Sequence, residues 1–449
     1  MLPVPDSTDR AADAPAALPL RGSRPLQVLI DGFNLSLDKG TGVATYGRNL
    51  SHLLKDMGAR VDVLYGAAIK AKHDELLKEV MFFDVTPPAP HRIVKTLRQL
   101  RALGLRNRHR AFQIPVTGAV VTDGLSSRLP RFDRLWNAYR VFDRGAVKFD
   151  FFRSTQQVRL PQAPDLMHWT YPLPARVAGA PNIYTLHDLV PLRLPYTTLD
   201  RKASYLALMR WIARTADHIV TVSEASRRDI IELLGVPEDR VTNTYQAVHV
   251  PTQLLEASDD VVADTVSRTF GLEPRGYFLF YGSIEPKKNV ARIIEAFMAA
   301  NVGCELVIVG ARAWRSALEN RLLETVSVTG HRVRRIEYLP FPSLVHLIRG
   351  ARAVVFPSLY EGFGLPVLEA MQLGTPVIAS NVSSIPEVAG DAALLVDPYR
   401  TEQITQALQR LDGDDDLCFE LSTRGRRQAQ QFSEAAYARR LAALYARLV

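Results

Sequence analysis

Two carboxylates stand eight residues apart in the stretch YEGFGLPVLEAM, Glu361 and Glu369. Gly362, Phe363, Gly364 and Leu365 follow the first of them, and Pro366 comes next. An ionised carboxylate only accepts hydrogen bonds, so it suits the hydroxyls of a sugar or a ribose and does not bind phosphate. A helix N-terminus has the opposite preference. Its unpaired N–H groups and the positive end of its dipole attract anions. Glycines 362 and 364 let the backbone approach a ligand closely. Carboxylates for hydroxyls beside the Gly364 and Leu365 amides for phosphate suggest a sugar nucleotide. The plainer alternative for Glu369 is a first-turn residue that complements its helix dipole. Lys287 and Lys288, in GSIEPKKNVARIIEAF, can neutralise a diphosphate, or can be an ordinary solvated pair.

These residues need elements to hold them. The apolar run 353–356 predicts a buried strand, Pro366 a helix start, Gly374 its end, and 376–379 a second strand. Strand, glycine loop, helix and strand make a parallel βαβ unit. Residues 277–281 predict another strand, leading through Gly282 to the lysines and a helix that opens at Lys288 or Asn289. Nearer the start, 26–31 reads as a first strand. A loop with Gly40, Thr41 and Gly42 follows, then a helical pattern at Val43, Tyr46, Leu50, Leu53 and Leu54. A glycine loop between a first strand and first helix can cradle phosphate, although Gly-Thr-Gly alone is also an ordinary turn. Strand 182–186 ends at His187-Asp188, where a doubly wound sheet places its ligands. A lone histidine there is as readily structural. His168 sits near the end of the strand 165–169 and is left outside the site.

The chain has 449 residues, which favours two domains, and is 47% apolar and 23% charged. Two cysteines, Cys304 and Cys418, give neither a disulfide framework nor a metal spacing and fit a reducing compartment. No unbroken apolar run reaches about 18 residues, so no membrane span is expected. The first 24 residues lack a signal-peptide pattern and read as a disordered lead-in. A net charge of +8 suits an anionic partner, but no nucleic-acid motif accompanies it. Between residues 68 and 160 the pattern does not resolve into elements. Two basic stretches lie there, 91–110 and 128–153. Each reads either as a solvated helix face or as a dock for anionic membrane, with Trp136, Tyr139 and Phe142 entering the interface.

The string YEGFGLPVLEAMQLGTPVIAS resembles the Glu-x7-Glu signature of retaining glycosyltransferases of family 4, which have the GT-B fold. NIYTLHDLVPLRLP resembles the family string whose histidine, here His187, contacts the donor sugar. GSIEPKKN resembles the motif whose lysine, here Lys288, binds the donor diphosphate; Ser283 and Lys287 stand where members often place an arginine. The glycine loop 40–42 matches one that faces the diphosphate, ahead of Tyr46, Asn49 and Leu50. Tyr338 and Leu339 match a place where backbone groups meet the base. The resemblance implies an α/β protein with two Rossmann-like doubly wound domains facing across a cleft. The expected division is a lead-in at 1–24, an acceptor-side domain at 25–250, a linker at 251–275, a nucleotide-sugar domain at 276–430, and a C-terminal helix at 431–449 crossing back to the first domain.

The chemistry so implied is transfer of a hexose from a nucleotide-diphosphate sugar, with His187, Glu361 and Lys288 as catalytic residues. Gly40, Thr41, Gly42, Ser283, Lys287, Leu339, Gly362, Phe363, Gly364, Leu365 and Glu369 complete the donor site. No metal or cofactor is expected, since no DxD-like carboxylate pair is suitably placed. GS.EPKKN is similar to the mannosyl- and rhamnosyl-type branch of bacterial surface-polysaccharide assembly. That similarity favours GDP-mannose as donor; family habit and the basic stretch favour a glycan or lipid-linked acceptor, and the expected location is cytoplasmic, either free or peripheral at the inner membrane face. Three rivals share the fold: a glucan phosphorylase, for which no pyridoxal-lysine signature is present, a sugar-nucleotide epimerase, and a degenerate partner-binding subunit. A nicotinamide dehydrogenase is disfavoured, because no Gly-x-Gly-x-x-Gly follows the first strand.

Overall fold

The computed structural model describes residues 17, 18, 20, 21, 23–36, 42–84, 107–122, 129–311 and 332–449. Two sheets organise it. The second has the strand order β14(Val333–Ile336)-β13(Glu305–Val309)-β12(Tyr277–Tyr281)-β15(Ala353–Phe356)-β16(Val377–Ser380)-β17(Leu394–Val396), all parallel. β12 reads YFLFY and is buried along its whole length, as are β15 and β16. Parallel strands are covered on both faces, so their sequences run apolar without alternation. The order reverses direction between β12 and β15. A doubly wound sheet opens its crevice at such a reversal, beyond the strands' C-terminal ends. The loops leaving β12 and β15 carry Lys287–Lys288 and Glu361.

The first sheet has the order β11(Val241–Asn243)-β10(His218–Thr221)-β9(Asn182–Thr185)-β7(Leu166–Trp169)-β1(Gln27–Asp31)-β2(Arg60–Tyr65)-β5(Arg134–Asn137)-β4(Phe112–Ile114). Among the described residues of this sheet, only the edge pair β4–β5 is antiparallel. Its reversal lies between β1 and β7, which places Asp31 and Thr170 side by side at their ends. A small third sheet joins β3(Arg108–Arg110), β6(Gln156–Arg159) and β8(Ala175–Val177). The last helix, Glu434–Leu448, lies against the first domain: Tyr445 Oη is 2.6 Å from His168 Nδ1, and Arg447 donates to Thr242 Oγ1 at 3.0 Å.

Three expectations change. Residues 17–24 belong to the fold where they are described: Leu18 is buried, and Arg21 and Arg24 pair with the buried Asp165. Trp136 and Phe142 do not meet a membrane. Trp136 is in β5 and donates its indole N–H to buried Asp62 at 3.1 Å, and Phe142 is in the core. Among the described residues, the interval 68–160 contains the helices Glu75–Phe83 and Val141–Phe152 and four short strands. The basic run from 91 to 106, residues 314–328, whose sequence predicts a helix, and Gly40 and Thr41 lie outside the described residues. Among the described residues, no helix is long and apolar enough to cross a membrane.

Candidate active site

The glycine loop after β15 is held by the hydroxyls of two serines from the segment that follows β16. Ser383 Oγ accepts the Glu361 N–H at 3.0 Å, and Ser384 Oγ lies 2.9 Å from the carbonyl oxygens of both Glu361 and Phe363. Gly364 then takes φ +105°, a conformation open to glycine, and starts the helix Leu365–Gln372. Pro366 is the second residue of that helix rather than the first. Glu369 is the fifth, so it sits in the second turn and its carboxylate is not the dipole partner expected there. It is half-buried beside Tyr281, whose hydroxyl donates to the Pro366 carbonyl at 2.8 Å. Burial raises the Glu369 carboxyl above its ordinary value.

The loop after β12 brings the lysines to the same place. Asn289, at φ +62°, turns the chain into the helix Val290–Ala300, and its amide donates to the carbonyls of Pro357 at 3.0 Å and Pro398 at 2.7 Å. Lys288 Nζ then reaches Glu361 Oε1 at 2.7 Å and lies 4.8 Å from the Phe356 ring centre. Burial alone would raise the Glu361 carboxyl, but the charges of Lys288 and Lys287 and the Lys288 bond hold it below its ordinary value. Lys287 is 3.8 Å from the buried Glu285, which also accepts the Ser283 hydroxyl at 3.2 Å. Burial would lower Lys287; Glu361, Asp188 and Glu285 outweigh it and raise its pKa. Two lysines and three carboxylates, Glu361, Glu285 and Asp188, thus meet in this corner.

The first domain supplies the facing wall. His187, just after β9, donates Nε2–H to the Thr170 carbonyl at 2.9 Å, with the Tyr46 ring edge-on at 4.8 Å. Burial depresses its pKa, against the raising effects of the Thr170 bond and Asp188. Gly42 opens the helix Gly42–Asp56, and a Cβ there would be 3.8 Å from Leu365 Cδ1. The N-termini of two helices, one from each domain, therefore converge. The domains also touch directly. Ser226 Oγ is 2.9 Å from the His187 carbonyl and 3.3 Å from that of Gly362, and Tyr360 donates to Asp229. Glu387 accepts the N–H groups of Glu224 and Ala225 at 2.8 and 2.9 Å, at the start of the helix Glu224–Leu234.

His187, Lys287, Lys288, Glu361, Gly362, Gly364, Leu365 and Gly42 are thus brought together, with Ser283 and Glu369 at the margin. The Phe363 side chain is not. It is buried between Tyr245 and Phe432, at centroid distances of 6.3 and 5.6 Å, so only its backbone is available to a ligand. Leu339 is half-buried after β14, beside a Tyr338 that is 79% exposed. His168 is a structural residue, bonded to Tyr445 and, at 2.7 Å, to Thr185. Sequence reading placed Asn289 at its helix start and missed Glu285, Ser383, Ser384 and Asp31. Of these, only Asp31 had a visible signal, a carboxylate closing an apolar strand. Among the described residues, no group of three or more His, Cys, Asp or Glu could hold a metal ion.

The family model described as Glycosyltransferase Family 4 matches residues 116–250, and that described as Glycosyl transferases group 1 matches residues 265–429. O-antigen chain mannosyltransferase B of Escherichia coli is 36% identical over 271 residues, covering 58% of this chain and 68% of that protein. The serotype-specific mannosyltransferase WbdA of Escherichia coli is 27% identical over 275 residues, 60% of this chain but only 33% of that protein. Among solved structures, sucrose-phosphate synthase of Thermosynechococcus elongatus aligns with a TM-score of 0.64 at 18% identity, over 95% of this chain and 99% of that one. Anabaena HepE in complex with UDP and glucose aligns with a TM-score of 0.63 at 15% identity, over 94% and 100%.

Proposed function

The chain belongs to the family 4 glycosyltransferases of the GT-B fold, and from that premise we propose that it moves mannose from GDP-mannose to a glycan or lipid-linked acceptor. The coarser statement, a hexosyltransferase of polysaccharide synthesis, rests on its mannosyltransferase relatives. The choice of mannose is carried by the 36% identity to the O-antigen enzyme.

In this reading the donor lies along the C-terminal ends of β12 and β15. Glu369 holds the ribose hydroxyls, and the Gly364 and Leu365 amides hold the diphosphate at a helix N-terminus. Lys288 gives up Glu361 for the diphosphate, and Glu361 turns to the sugar hydroxyls. His187 meets the sugar from the other domain. The costly event is departure of the nucleoside diphosphate from the anomeric carbon. Lys288, once released from Glu361, and the helix-end amides stabilise the charge that develops on it. The leaving phosphate then takes the acceptor's proton on the same face, which retains the anomeric configuration. No bound metal takes part in these steps. Groups from both domains are needed, so turnover requires closure.

A thermal-shift panel of GDP, UDP, ADP and their sugar adducts, with magnesium and with chelator, tests this. A ligand bound only by the folded state raises the midpoint. GDP and GDP-mannose should do so equally in both conditions. A response to UDP instead, or one that needs magnesium, would overturn the donor or the metal-free reading respectively.

A further inference from the structure

His187 Nε2 lies 2.9 Å from the Thr170 carbonyl oxygen. A carbonyl only accepts, so the proton of that bond is on Nε2. Burial holds the ring below the ordinary histidine value. At neutral pH it therefore carries one proton, and Nδ1 keeps its lone pair. The element that aims the Thr170 carbonyl is in another strand. Asp31, the last residue of β1, is fully buried beside the end of β7. Its Oδ2 accepts both the Thr170 N–H and, at 2.9 Å, the Thr170 hydroxyl, and its Oδ1 accepts the Phe33 N–H at 3.2 Å.

Three donors converge on this one side chain, and only a carboxylate accepts from all of them. An asparagine would point N–H groups at N–H groups. The carboxylate is also costly to keep here: burial lifts its pKa to about 6 despite these bonds, and among the described residues no lysine or arginine pairs with it. A lone buried charge that pins both polar ends of one threonine is more than a strand end requires. Thr170 is also the residue whose carbonyl sets the histidine.

We propose that Asp31 is a positioning residue: through Thr170 it fixes His187 in the Nε2–H form, leaving Nδ1 as a hydrogen-bond acceptor for a hydroxyl of the transferred sugar. This rests on the reading of His187 as a sugar contact. It also specifies the class of group that contact takes. A hydroxyl has a proton to give; a deoxy position has none, and a uronic carboxylate would oppose the lone pair.

Long-range proton–nitrogen correlation spectra of protein labelled with 15N-histidine read the tautomer directly. The His187 signal is identified among the 10 histidines by its loss in His187→Gln. The wild type should show the Nε2–H form. Asp31→Asn should populate the Nδ1–H form and lower kcat about tenfold, the order of one hydrogen bond, with GDP affinity unchanged. Should Asp31→Asn fail to fold, Thr170→Val removes one of the three donors and should give a smaller shift in the same direction. A wild-type Nδ1–H ring overturns the proposal. So does an unchanged tautomer in Asp31→Asn, however low its activity, since a purely structural aspartate would give that result. Undiminished transfer by His187→Gln would instead remove the sugar contact and the acceptor role with it, whatever the tautomer does.

Discussion

Replacing Gly362 by alanine puts one methyl group between the two domains. A Cβ there would lie 2.6 Å from the His187 carbonyl oxygen and 3.1 Å from Asp188 Cβ and Oδ2. The Asp188 side chain can turn away. The carbonyl cannot, because it is backbone and the Ser226 hydroxyl holds it at 2.9 Å. Gly362 itself has no positive φ, so alanine brings no backbone strain and the effect is steric alone. Carbon and oxygen sit comfortably at about 3.3–3.6 Å. The interdomain contact must therefore open by roughly 0.7 to 1 Å. Overpacking of this kind costs about 1–3 kcal/mol.

That cost falls on the contact between domains rather than on either core. If turnover needs closure at this contact, a rate loss of roughly 5- to 150-fold follows. Transfer kinetics, GDP affinity and thermal midpoint should be measured together. The expected pattern is a lower kcat, GDP affinity within about twofold of wild type, and a nearly unchanged midpoint. The nucleotide is read as resting mainly on the second domain, so its binding is largely spared. A Gly362→Ala enzyme with wild-type kcat would refute the argument. Equal losses of kcat and GDP affinity would refute it too, by placing the damage inside the donor site.

Glu369→Ala should weaken GDP binding by about 10- to 100-fold, the order of a charged acceptor lost from hydroxyl hydrogen bonds, and titration calorimetry showing equal affinity would remove the ribose role. The Glu361 carboxyl is held below its ordinary value of 4.5, so its contribution to stability is complete above that pH and is lost as pH falls through the lower folded value. The midpoint gap between wild type and Glu361→Gln should accordingly be constant near neutrality and narrow only below that pH; a gap that already narrows between pH 7 and pH 5 would contradict the pairing with Lys288.

The parts of this fold that were legible in the sequence are those whose signal is local. β12 and β15 are continuous apolar runs because parallel strands are covered on both faces. The helix Leu365–Gln372 is marked by Pro366 and Gly374 at its ends, and Gly374 does take φ +76°. The blurred interval was blurred for a physical reason. Its described strands are three or four residues long, too short for a period, and Trp136 and Phe142 are buried in a core formed with distant strands. Trp136 looked like a membrane aromatic because nothing nearby in the chain shows that Asp62, on the neighbouring strand, takes its N–H.

The site divides along the same line. Lys288 and Glu361 were found one by one, as charges at strand ends. Their 2.7 Å contact spans 73 residues and follows from the strand order, which sets β12 beside β15. Asp31 and Thr170 are 139 residues apart and meet because β1 and β7 are neighbours at the reversal of the first sheet. In each sheet the reversal does the same work: it leaves two loops side by side with no crossover helix between them. Side chains from those loops must then satisfy one another until a ligand comes. The Lys288–Glu361 pair and the Asp31–Thr170 contact are two such satisfactions, but they are not equivalent. The first is a pair of opposite charges that a diphosphate can separate, because it offers the lysine a stronger partner. The second joins a carboxylate to backbone and hydroxyl donors that no ligand replaces. In the proposed reading the second domain holds the parts that would move on donor binding, and the first domain the fixed wall against which the sugar would be set.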